Sequence, residues 1–214
     1  VEEPVTGTTT DGTGSPAGAL VVVPANETSW DDLQAVFGES GEPHRCQCQW
    51  FRTPASEWKS LSSDDRAARL RAQTRCGEPD ASTTSGLVAY LDGTPVGWCA
   101  VEPRGVYRHL RTMRVPWAGR DEDPDDDGVW AVVCFVTRAG YRRRGVSAAL
   151  AAAAVGFARA RGARALEGYP LELGPGTTSS WGELYVGARS VFLDAGFREV
   201  SRPSKRRSVV RVDF

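Results

Sequence analysis

Lysine is nearly missing from this chain of 214 residues: Lys59 and Lys205 are the only two, and arginine supplies the rest of the 26 basic side chains. Against 27 acidic residues the net charge is -1, so the composition has no general attraction for nucleic acid or an anionic membrane surface. Long apolar runs are missing as well. The longest, 146–158, is interrupted by Ser147 and Gly156 and falls short of the roughly 20 residues an apolar helix needs to span a bilayer. The first residues are acidic and rich in Thr and Gly, unlike the basic-then-apolar pattern of a secretory leader, which makes the cytoplasm the expected compartment. The five cysteines, at 46, 48, 76, 99 and 134, are too few and odd in number for a secreted disulfide scaffold, so free thiols are expected. His44, Cys46 and Cys48 cluster, but structural zinc sites favour two or more residues between paired cysteines. No metal site is expected there.

What is present suits a globular domain. Hydrophobic residues make up 41% and charged residues 25%, ordinary values for a soluble fold, and the length suits one domain. Residues 1–18 have almost no large apolar side chain and cannot repay the entropy of ordering; they are expected to form a flexible tail, with a single domain over 19–214. Residues 19–24 read as a strand. Ser29, Asp31 and Asp32 then open a helix through Phe37, and 38–60 is expected as loop, although its Trp50, Phe51 and Trp58 require burial or a ligand. A second helix is expected from Ser63 to a stop at Gly77. Residues 86–91 and 95–101, joined by Asp92-Gly93-Thr94, carry a hairpin signature. After an irregular stretch over 104–128 come a strand at 129–137, a helix at 146–161 and a strand at 163–168. The first helix face is Val146, Leu150, Ala153 and Phe157, and a second, Leu184, Ala188, Val191, Phe192 and Ala195, predicts one continuous late helix ending at Gly196. Residues 208–212 give a last strand. The expected fold class is α/β, a mixed and mostly antiparallel central sheet with one parallel strand–helix–strand unit and helices on both faces.

The chemistry concentrates between that strand and helix, in Thr137-Arg138-Ala139-Gly140-Tyr141-Arg142-Arg143-Arg144-Gly145-Val146-Ser147. A glycine there lets backbone N–H groups approach an anion, and the first amides of a helix have no internal acceptor. Three successive arginines add charge and donors suited to a nucleotide phosphorylated at several places. In isolation the same run reads as a solvated helix cap. A dinucleotide cofactor is the competing reading, but the G-x-G-x-x-G fingerprint is absent.

The apolar strand followed by Arg142-x-x-Gly145-x-Ser147 resembles the signature of the GCN5-related N-acetyltransferase (GNAT) family, with Ser147 where the family has Gly or Ala. The segment from Ala188 to Phe197, ending in Gly196-Phe197, is similar to the family's late helix. The resemblance extends over residues 86–214. It implies that Phe135, Val136 and Thr137 line the pantetheine arm of acetyl-CoA, with Arg142, Arg143, Arg144, Gly145, Val146 and Ser147 at the pyrophosphate. The implied reaction is acetyl transfer to a primary amine on a small molecule or peptide, with neither nucleic acid nor membrane as partner. The rival reading is a non-catalytic acyl-CoA-binding sensor.

An alkylamine near pKa 10.4 is mostly protonated at neutral pH, so a base assists attack. Glu167, near the end of its strand, is the candidate, with Glu172 and Glu183 behind it; a plain ion pair with an arginine explains Glu167 equally well. The family's late-helix tyrosine, which protonates the leaving thiolate, is Phe192 here. Tyr185, two turns earlier in the expected helix, or Tyr169 beside Glu167, stands in as donor candidate. Cys46, Cys48, Trp50 and Phe51 are expected to form a wall that flanks the acceptor pocket. The acidic run 121–127 reads as a solvated loop or a lure for cationic acceptors.

Overall fold

In the computed structural model, which describes residues 19–172 and 184–214, a seven-stranded sheet has the order β1-β2-β3-β4-β5-β7-β6. The strands are β1 Leu20–Pro24, β2 Gly86–Leu91, β3 Thr94–Pro103, β4 Val129–Thr137, β5 Ala165–Gly168, β6 Arg198–Ser204 and β7 Arg207–Asp213. All neighbours are antiparallel except β4 and β5, so the mixed sheet is as expected. The proposed tail, 1–18, and Glu183 lie outside the described residues.

Helices α1 Trp30–Phe37, α2 Gly41–Cys46, α3 Ala55–Trp58 and α4 Ser63–Thr74 precede the hairpin, and α5 Val146–Ala160 and α6 Arg189–Asp194 follow β4 and β5. Local chemistry accounts for the two that were legible early. The Ser29 hydroxyl accepts from the Asp32 amide and opens α1, and Ser62 with Asp65 forms a reciprocal capping box on α4, a device that satisfies two otherwise orphaned donors. The expected loop 38–60 instead contains α2 and α3. At six and four residues they are too short to be stable from propensity alone and exist because the domain packs around them.

β4 is buried along its whole length except at Thr137, because apolar side chains cover both faces. One face meets α1 and α4 through Leu33, Phe37, Leu70, Trp98, Val133 and Val136. The other meets α5 and α6 through Val132, Phe135, Leu150, Phe157 and Phe192. Burying each such side chain stabilises the fold by roughly 1.5–3 kcal/mol. On α5 the fully buried stripe includes Ala151 and Ala154, while Ala153 is only partly covered.

Two late expectations need correction. Residues 184–195 do not form one helix: Leu184–Val186 is a 3-10 turn, Gly187 breaks the chain, and α6 starts at Arg189. Gly187 has φ +83°, and a Cβ there would come within 2.8 Å of the Phe192 ring and 3.1 Å of the Phe135 ring. Periodicity continued through the break because Phe192 and Val186 are buried on both sides of it, but close packing demanded a left-handed glycine. The second correction is β6, which polar residues and Pro203 disguised; it is an edge strand, where both are tolerated.

Candidate active site

The sheet opens where the chemistry was expected. β4 and β5 pair only from Val129↔Ala165 to Val132↔Gly168, and beyond Val132 the β5 side of β4 has no strand partner among the described residues. At the same point the β3–β4 register slips, Ala100 facing Cys134 while Val101 faces Val132. That leaves Val133 as an extra residue, a β-bulge that re-aims the side chains after it. Val136 and Cys134 consequently face the α1–α4 layer, and Phe135 faces α6, its ring 5.6 Å from that of Phe192.

The phosphate loop follows. Gly145 sits at φ +77° as the N-cap of α5, which has no side-chain cap, so its first-turn amides lack any protein acceptor of the usual capping kind. A Cβ at Gly145 would meet nothing nearer than Leu20 Cδ1 at 4.0 Å; the approach to the amides is open. Arg142, Arg143 and Arg144 are exposed around it. Ser147 Oγ lies 3.5 Å from Thr137 Oγ1, tying the helix start to the strand end. The loop thus has a backbone cradle and exposed cations beside it, and these residues fit a pyrophosphate.

Two cavities run from this loop along β4. The first, of about 980 Å³, is lined by Thr137, Arg138, Ala139 and Arg142 from the loop and by α1 and α2, including Glu42, Pro43 and His44. The second, of about 390 Å³, shares Glu42 and Pro43 and continues along β4 past Val136 and Cys134 to Cys46, Cys48, Trp50, Phe51, Trp58 and Tyr185. The expected cysteine and aromatic wall is therefore in place. Its thiols are neutral: burial, then Cys48, pushes Cys46 up to about 12, and burial drives Cys48 well above its ordinary value. Trp98 Nε1 donates to Cys48 Sγ at 3.2 Å. Glu42, Pro43 and Cys134 had no signal in the sequence marking them as cavity residues, because only the packing of α2 against α1 and α4 sets them across a cavity from β4.

Glu167 is brought elsewhere. Its side chain is 0% exposed and accepts from Arg104 at 3.1 Å, Arg211 at 3.0 Å, Arg120 and Tyr169, the last at 3.0 Å. Burial raises its carboxyl, but the hydrogen bond and charge of Arg120, with Arg104 and Tyr169, outweigh that and hold it below the usual carboxylate range. Its lone pairs are engaged by these donors, and Glu167 lines neither cavity. Tyr169 is likewise occupied, and burial raises its hydroxyl well above the ordinary value. Glu172 is paired with Arg202 at 3.2 Å and Arg189 at 3.6 Å. The acidic run is also engaged: Glu122 bridges Arg104, Arg120 and Arg211, and Asp126 holds Arg164.

A depressed carboxyl stabilises the fold fully above its unfolded-state value near 4.3, and that contribution is lost as pH falls through the lower folded value. Urea midpoints measured from about pH 5 to about pH 3 are expected to fall, and Glu167→Gln should flatten that segment. Equal slopes in the two proteins would show that Glu167 carries no acid sensitivity.

Tyr185 is not in α6 but in the preceding 3-10 turn, half-buried at the cavity wall with its ring 5.9 Å from Phe51. Burial raises its hydroxyl above the ordinary value, so it keeps its proton at neutral pH. Phe192, in the position expected for the family's acid, is fully buried between Phe135 and Phe197.

The Acetyltransferase (GNAT) family model matches residues 29–169. The chain belongs to the GNAT acetyltransferase family. Membership makes it an acetyltransferase, in a family that uses acyl-CoA. Among solved structures it is similar to an N-acetyltransferase from Staphylococcus aureus Mu50, at 15% identity, with 91% of this chain and 98% of that chain covered and a TM-score of 0.49. It is also similar to the PaiA N-acetyltransferase of Thermoplasma acidophilum in complex with coenzyme A, at 12% identity, 92% and 99% coverage and TM-score 0.46. A third is a GCN5-related N-acetyltransferase from Kribbella flavida, at 17% identity, 94% and 100% coverage and TM-score 0.45. No curated protein matches the chain. Among the described residues no helix is long and apolar enough to cross a membrane, and no group of three or more His, Cys, Asp or Glu side chains is arranged to hold a metal ion.

Proposed function

We propose that this GNAT domain transfers acetyl from acetyl-CoA to a primary amine, in a ternary complex assembled along β4. The observation that carries the reading is the adjacency of the two cavities, which share Glu42 and Pro43 and together extend from the phosphate loop to the Tyr185 wall. In this reading the amides from Arg142 to Ser147 hold the pyrophosphate, with the three arginines as counter-charge. The free edge of β4 at Phe135, Val136 and Thr137 holds the pantetheine arm.

In the reaction the amine nitrogen attacks the thioester carbonyl carbon, a C–N bond forms as the C–S bond breaks, and sulfur leaves with the electron pair. The surplus proton of the nitrogen ends on sulfur. Tyr185 supports the departure by presenting its retained proton to the thiolate. Because a thiol has an ordinary pKa of about 8.5, thiolate departure requires no strong acid. The amine must arrive neutral, and a cavity walled by neutral thiols and aromatic rings favours that form by desolvation. Glu167 serves in this reading as the anchor of the arginine cluster.

Amine-dependent release of free CoA, followed with a thiol reagent, tests the activity. Tyr185→Phe is expected to lower kcat about 10²-fold while leaving the KM for acetyl-CoA within a factor of about two. An unchanged kcat would remove Tyr185 from the mechanism, and acetyl-CoA binding with no release across amines of every class would remove the amine reading itself.

A further inference from the structure

The second cavity has a composition that selects its guest. Trp50, Phe51, Trp58 and Tyr185 form its wall and Cys134 its floor, and Glu42, at the end shared with the first cavity, is the only carboxylate among the described lining residues. The aromatic wall is held rigid from behind. The Trp58 indole packs edge-on against Trp50, with ring centroids 5.0 Å apart, and the Arg66 guanidinium covers Trp58 at 3.8 Å. Arg66 in turn donates to the backbone carbonyls of Arg45 at 2.8 Å and of Trp58 at 2.9 Å. His109 stacks on Trp50 with a centroid separation of 4.4 Å, and the His109 amide donates to the Phe51 carbonyl at 2.9 Å. A preorganised apolar wall of this kind gains most from a rigid apolar guest, because neither partner loses much freedom on binding.

A cationic guest meets the opposite conditions. A polyamine or aminoglycoside would bring several charges into a cavity lined mainly by aromatic rings and by Cys46 and Cys48, whose thiols burial raises, and unpaired buried charge is strongly disfavoured. Among the described residues, carboxylates other than Glu42 are elsewhere: none of the acidic run 121–127 lines this cavity, and Glu122 and Asp126 are paired with arginines. At about 390 Å³ the cavity lies at the small end of ligand sites, the size of a single ring system with a short side arm.

We infer that the acceptor is an arylalkylamine, its ring seated among Trp50, Phe51 and Trp58 and its amine directed to β4 at Cys134 and Val136. This rests on the amine-acetylation reading above. The ring supplies binding, and the same apolar wall that accepts it favours the amine in the neutral form that attacks.

The test is kcat/KM at saturating acetyl-CoA for 2-phenylethylamine and tryptamine against spermidine, kanamycin and an unblocked alanine peptide. The arylalkylamines are expected to exceed each of the others by about 10²-fold or more, the scale on which a hydrophobic pocket discriminates. Trp50→Ala and Trp58→Ala are each expected to lower kcat/KM for the arylalkylamines at least about tenfold while the Kd for acetyl-CoA, measured by calorimetry, stays within a factor of about two. That unchanged Kd certifies the fold of each variant. Preference for spermidine, kanamycin or the peptide overturns the acceptor assignment and leaves amine acetylation standing, as does an equal loss for every amine in both tryptophan variants. Turnover with none of the amines, while acetyl-CoA still binds, overturns both readings.

Discussion

Gly145→Glu is expected to weaken acetyl-CoA binding by at least about 10²-fold, roughly 2.8 kcal/mol, the largest functional effect of any single change considered. Two physical causes add. Gly145 occupies the left-handed region at φ +77° beside the open approach to the α5 amides, so any side chain reaches into the space a phosphate would take. A carboxylate also places negative charge at the positive end of α5, against the ligand it should attract. The fold is expected to suffer less. A non-glycine residue in this conformation costs about 1–2 kcal/mol, which in a domain of this size lowers Tm by a few degrees, roughly 2–8 °C. Gly145→Ala separates the causes, since it carries the strain without the charge and is expected to fall between the parent and the Glu variant. Calorimetry showing parental affinity for Gly145→Glu would end the assignment of this loop to the phosphates.

The largest effect on stability is expected from Glu167→Ala. Removing the carboxylate leaves Arg104, 1% exposed, and Arg120, 7% exposed in its side chain, with Glu122 as their remaining carboxylate partner. Breaking a buried ion pair on one side costs about 3–5 kcal/mol because the other charge stays buried, so a Tm loss of roughly 6–20 °C follows, against a total stability of only about 5–15 kcal/mol. Acetyl-CoA affinity should persist at temperatures where the variant is folded, since Glu167 lines neither cavity. A variant as stable as the parent but inactive, with a pH–rate profile that loses its acid limb, would return Glu167 to the role of base.

The arginine cluster shows where linear reading stops. Arg104, Arg120, Arg211 and Glu167 are separated by up to 107 positions, and each has an unremarkable sequence neighbourhood; a 3-10 turn, a loop and two strands must converge before their charges meet. Glu167 looked like a base because it ends a strand at the sheet's opening. The donors that lower its proton affinity come from Arg120 and Arg104, in the stretch that reads as irregular. Tyr185 was legible as a candidate for the wrong reason, since helical spacing placed it in α6 while the break at Gly187 moves it to the cavity wall.

What the sequence determined by itself is local. The caps of α1 and α4, the turn between β2 and β3, and the strand, glycine and helix of the phosphate loop all rest on interactions within about ten residues, and such interactions are written in order along the chain. That is why the family, and the glycine-led start of α5 after β4, were readable from the chain alone. The second cavity depends on α2 and α3, which are too short to form unaided, and on a bulge at Val133 that leaves Cys134 and Val136 on its side of β4. Only the packed fold decided which side chains meet there, because burial against distant partners, and not local preference, holds those pieces in place.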